Sequence, residues 1–113
     1  MKIYHNPRCS KSREVLKILE SNNINFEIVQ YLKKTISKSE LRNILKLLNI
    51  SPIDLIRKNE SVYKQNFKGK DLSNDQWLDV LCENPILIER PIVIKDNQAL
   101  IGRPPEKVLN LFD

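Results

Sequence analysis

The stretch Tyr4-His5-Asn6-Pro7-Arg8-Cys9-Ser10-Lys11-Ser12-Arg13 decides the reading of the chain. Ile3-Tyr4 before it is a short apolar run that reads as a first strand. Asn6-Pro7 breaks that pattern. After Ser10, apolar residues fall at Val15, Leu16 and Leu19, with Ile18 on the flank, which is helical spacing. Cys9 therefore stands where a loop turns into a helix. The first amides of a helix lack backbone partners and the dipole is positive there, so a thiol at that point loses its proton more readily. Those amides also suit an anion. Arg8, Lys11 and Arg13 add positive charge nearby. The polar, basic surroundings predict an accessible, reactive thiol rather than a buried apolar one.

Working outward, Phe26-Glu27-Ile28-Val29 reads as a second strand, buried on alternate positions or on both faces, which makes the first segment a βαβ unit with parallel pairing. Tyr31 to Thr35 reads as a polar exit loop. Ser37 with Glu40 and Ser73 with Gln76 have the form of capping boxes. Leu41, Ile44, Leu45 and Leu48 follow the first, and Trp77, Leu78 and Leu81 follow the second, as core stripes. Ser51-Pro52 predicts a short helix capped by Ser51, with Arg57 at its end. Between them, Val62, Tyr63 and Phe67 are the candidate anchors of a polar stretch. Ile92-Val93-Ile94 and Ala99-Leu100-Ile101, joined at Asp96-Asn97, predict a hairpin. Pro104-Pro105 then opens a final helix carrying Val108, Leu109, Leu111 and Phe112.

The order β-α-β, then helices, then β-β-α predicts an α/β fold. It is a thioredoxin-like mixed sheet in one domain spanning residues 1–113, with a helical insert at about 36–84. At 113 residues and 41% hydrophobic content the chain can bury a core. Its net charge of +5 is interleaved with acids and contains no dense basic block, so solvated helix faces explain it better than a nucleic-acid surface. Two cysteines are too few for a disulfide scaffold, and one histidine with two scattered cysteines gives no metal-ligand spacing. No signal peptide or membrane-spanning run is visible, and a cytoplasmic, reducing setting is expected.

Arg57, Arg90 and Arg103 stand at junctions between elements, and the last two precede Pro91 and Pro104. In a thioredoxin-like sheet the loop before the third strand reaches the thiol, and a proline there is often cis. Arginine binds a tetrahedral oxyanion with a planar fork and keeps its charge, which would also hold Cys9 as thiolate. An anion loop of the Cys-x5-Arg type is disfavoured because position 15 is Val15, and a Cys-x-x-Cys dithiol is absent because position 12 is Ser12. His5 either tunes the thiolate or is structural. Ser12, one turn beyond Cys9, either donates to the sulfur or caps the first turn. Arg13 reads as a supporting charge, and Cys82, within an amphipathic helix, as a buried structural thiol.

His5-Asn6-Pro7-x-Cys9-Ser10-x-Ser12-Arg13, Arg90-Pro91-Ile92-Val93 and Gly102-Arg103-Pro104-Pro105 together resemble the glutaredoxin-linked arsenate reductase family over essentially the whole chain. The resemblance implies that Cys9 attacks arsenate to form a thiol–arsenic adduct. It implies that glutathione, a co-substrate rather than a bound cofactor, joins the adduct, and that glutaredoxin helps release arsenite. By position it implies Arg57, Arg90 and Arg103 as oxyanion ligands, His5 and Ser12 beside the nucleophile, and Pro91 as a cis proline. Two alternatives stand beside it. One is a non-enzymatic regulatory protein of the same superfamily, although the Cys-x-x-Cys of the branch that binds RNA polymerase is missing. The other is a reductase of a different oxyanion or thiol adduct.

Overall fold

The computed structural model describes residues 1–112. The chain forms two compact units, Met1–Lys34 with Arg90–Asp113, and Thr35–Glu89.

The first unit holds a mixed four-stranded sheet in the order β2-β1-β3-β4. Its strands are β1 (Lys2–Tyr4), β2 (Glu27–Val29), β3 (Ile92–Lys95) and β4 (Gln98–Ile101). β1 pairs parallel with β2, and both β1–β3 and β3–β4 are antiparallel. Helix α1 (Ser10–Ser21) supplies the crossover between the parallel strands. This is the thioredoxin-like plan expected from the order of elements. The core joins Ile3 and Val93 of the sheet to Val15 and Leu19 of α1 and to Val108 and Leu111 of the C-terminal segment. Asp96 adopts a left-handed backbone (φ 56°) in the two-residue connection, as the hairpin requires.

Three expectations fail in this unit for identifiable reasons. β2 is an edge strand, and the adjacent Glu27 and Ile28 are both exposed, so it is buried neither on alternate positions nor on both faces. Tyr31, at the start of the predicted polar loop, is fully buried. The C-terminal segment Pro105–Phe112 is a 3-10 helix, not an α-helix. At three residues per turn, Pro105, Val108 and Leu111 line up and are buried, while Leu109 and Phe112 face outward.

In the second unit, α2 (Lys38–Leu48) and α4 (Asn74–Glu83) pack together through buried apolar stripes. Ser37 accepts from the Glu40 amide, and Ser73 with Gln76 closes a reciprocal capping box. α3 (Ser61–Asn66) brings Tyr63 and Phe67 against Trp77, with ring centroids 6.4 and 6.3 Å away. Pro52–Leu55 is a 3-10 turn that Ser51 enters without capping it, since its side chain makes no cap hydrogen bond. Cys82 is half-buried at the penultimate position of α4, not fully buried, and burial followed by the Asp79 charge raises its thiol above the usual value. Lys38 and Arg42 bridge to Asp75 and Asp79 at 2.9–3.0 Å on the surface, where such pairs contribute little.

Among the described residues no helix is long and apolar enough to cross a membrane.

Candidate active site

Cys9 is the N-cap residue of α1, in extended conformation, with its own amide bonded to the Asn6 carbonyl. Burial works to raise its thiol pKa, yet the net shift is downward. The Ser12 amide, the Arg90 guanidinium through hydrogen bonding and charge, and the Lys11 amide together outweigh burial. The two amides supply this field without closing a full capping bond. The direct contact comes from the other end of the unit: Arg103 donates from Nη2 to Cys9 Sγ at 3.3 Å.

Cys9 is not accessible as expected but buried, only 8% exposed, because the chain folds Arg90 and Arg103 over it. Arg90, itself buried, and Arg103 both act on the sulfur, so its burial is partly by cationic groups. Arg103 is also fixed in orientation, because its Nε donates to the Arg90 carbonyl at 2.7 Å. One planar group thus ties the loop before β3 to the nucleophile. The Arg90–Pro91 and Arg103–Pro104 peptide bonds are both cis.

Behind the sulfur lies a buried polar knot. Ser12 Oγ accepts from the Asn6 amide at 3.1 Å and lies 3.0 Å from His5 Nδ1. The Ser12 hydroxyl is therefore engaged with His5 and Asn6, and it is the Ser12 backbone amide that serves the sulfur. Burial and then the Arg13 charge hold the His5 imidazole below its usual value, so it is neutral near pH 7. The direction of the Ser12–His5 hydrogen bond follows the imidazole tautomer, since the hydroxyl oxygen can accept from Asn6 and still either donate to or accept from Nδ1. Arg13 also donates to the Pro7 carbonyl at 2.9 Å.

Asn6 is the residue that sequence reasoning took only as a break. Its carbonyl receives Cys9, its amide binds Ser12, and its side-chain oxygen receives the Arg8 amide at 3.0 Å. Its signal was the Asn-Pro step, since Asn can bond its own backbone two residues on. The Arg8 side chain faces outward. Arg57 belongs to the second unit, where its Nε pairs with Glu60 at 3.3 Å.

Gly102 is required by close approach. A Cβ there would lie 2.8 Å from Val15 Cγ2 and 3.0 Å from Pro91 Cγ. Gly102→Ala is expected to destabilise the first unit by roughly 1–3 kcal/mol, the usual cost of overpacking, read as a lower urea midpoint.

The model of the ArsC family matches residues 4–111 of this chain. The chain belongs to the ArsC family. Relatives in the family include a protein of Escherichia coli named uncharacterized protein YfgD, 45% identical over 98% of this chain and 95% of its own length. An arsenate reductase of Haemophilus influenzae is 46% identical over 97% of each chain. Among solved structures, a putative arsenate reductase from Yersinia pestis superposes with a TM-score of 0.91 at 45% identity, covering 96% of this chain and 97% of the other.

Proposed function

We propose that this chain reduces arsenate to arsenite, with Cys9 as nucleophile and Arg90 and Arg103 as oxyanion ligands. Glutathione and glutaredoxin are the electron donors in this reading. The observation that carries it is the thiol held toward thiolate within 3.3 Å of the Arg103 guanidinium, with Arg90 beside it. A nucleophile and a cationic cradle at one point suit attack on a tetrahedral oxyanion. The names of the Haemophilus and Yersinia relatives agree with it.

The Cys9 sulfur attacks arsenic, an S–As bond forms, and one arsenate oxygen leaves as water with no change in oxidation state. A glutathione thiol replaces a second oxygen in the same way. A glutaredoxin thiolate then attacks the glutathione sulfur. The S–As electron pair stays on arsenic, which passes from As(V) to As(III), and the two sulfurs leave as a mixed disulfide. Water cleaves the remaining S–As bond, releasing arsenite and the Cys9 thiol. His5, Ser12 and Asn6 position the loop, and Pro91 shapes the turn beside the sulfur. Arg57 is a third oxyanion ligand on the family pattern alone. A cytoplasmic setting supplies both thiols in reduced form.

The test is arsenite formation with glutathione and glutaredoxin, paired with mass spectrometry of the arsenate-treated protein. Arsenite and a single arsenic adduct at Cys9 are expected. An adduct without arsenite would overturn the choice of electron donor, and no adduct would overturn the oxyanion itself.

A further inference from the structure

We propose that the groove between α1 and the turn at Pro104–Glu106 seats the thiol co-substrate, a short zwitterionic peptide thiol of the glutathione kind. The inference rests on the reductase reading above and gives its second substrate a place. The groove has a volume of about 460 Å³, within the range of small-molecule sites. Lys11, Glu14, Lys17 and Ile18 form one wall, and Pro104, Pro105 and Glu106 form the other.

Both walls continue from the segments that hold the sulfur. The Lys11 amide contributes to the field at Cys9, and Arg103, which donates to Cys9, immediately precedes Pro104. The groove is thus lined by residues next in the chain to those that act on the sulfur. From Lys11 to Ile18 the helix rises about 10 Å, close to the span of an extended tripeptide.

The rim chemistry selects the ligand class. Lys11 and Lys17 offer two cations, and Glu14 and Glu106 offer two anions. A glutathione-like peptide carries two carboxylates and one ammonium; Lys17 and Glu106 meet one of each, and Lys11 meets the second carboxylate by giving up its 3.8 Å pair with Glu14. A simple oxyanion gains nothing from the two glutamates. Pro104 and Pro105 present a wall with no amide N–H to satisfy, and Ile18 adds apolar floor. The other cavity beside the Cys9 loop, about 220 Å³ and rimmed by Arg8 and Lys33, has no carboxylate for the ammonium.

S-methylglutathione, which binds but cannot react, is titrated at millimolar concentration into the full ¹⁵N-labelled chain. Amide shifts are expected to centre on residues 11–18 and 106–107; shifts centred elsewhere, or none, overturn the assignment. In turnover, Lys17→Glu is expected to raise the glutathione KM roughly fivefold, the scale of one surface charge reversed, with Lys17→Arg near the unmodified value. An unchanged glutathione KM in Lys17→Glu also overturns it. The yield of the Cys9–arsenic adduct from arsenate alone should not move in either variant. If the unmodified chain forms no adduct, the reductase reading falls, while the titration still decides whether the groove binds the peptide.

Discussion

Cys9→Ser is expected to lower arsenate turnover by roughly 10⁴-fold or more, the scale on which losing a covalent nucleophile registers. A serine hydroxyl at the same N-cap would receive the same amides and guanidinium groups, yet it would stay protonated. The variant should still fold, because serine is a good N-cap and nearly the same size. Stability against pH separates this loss from a folding defect. Cys9 has a lowered pKa in the folded chain, while the unfolded thiol titrates near 8.5. Between those values the unfolded chain holds the extra proton, so unfolding free energy rises with pH. That gain is complete above the unfolded value and disappears as pH falls through the folded one. Urea unfolding of the unmodified protein across this range should show the rise, and Cys9→Ser should lose it. A serine variant that keeps the same slope would place the linked proton elsewhere.

The fold was legible wherever local chemistry sufficed. Ser73 and Gln76 cap each other in sequence and in space, and Asp96 accepts the backbone a tight hairpin needs. Trp77 was legible as core, and it gathers Tyr63 and Phe67 around it. What failed depended on distant partners. Ile28 has an apolar, strand-like neighbourhood, but its exposure follows from the edge position of β2. The three-residue spacing of Pro105, Val108 and Leu111 was visible, but only packing on the core makes it a 3-10 helix and not an α-helix. The same division holds at the site. The position of Cys9 at a helix start could be read from a few residues. The place of Arg90 and Arg103 beside it followed from the fold plan and the family resemblance and not from local spacing, because the Arg103 contact joins residues 94 apart in sequence. The Ser12 hydroxyl could face either of two partners by spacing alone, and burial of His5 and Asn6 decides which.

Arg103→Ala is expected to reduce arsenate turnover by 10²–10³-fold, comparable to removing one oxyanion-hole donor in other enzymes. The geometry also predicts how lysine differs from alanine. Arg103 makes two contacts with one plane: Nη2 to the Cys9 sulfur and Nε to the Arg90 carbonyl, at 3.3 and 2.7 Å. A lysine ammonium supplies charge near the sulfur but cannot span both positions with a fixed fork. Arg103→Ala removes a hydrogen bond to the thiolate, so the alkylation–pH profile of Cys9 should move upward. Arg103→Lys should restore much of that profile, because the charge remains. It should not restore turnover, which stays at least ~10-fold down because the oxyanion loses a bidentate partner and Arg90 loses its anchor. Charge and orientation thus separate into two measurements on one pair of variants. Parallel recovery of both in the lysine variant would mean that Arg103 acts as a point charge, and the fork would then have no part in holding the substrate.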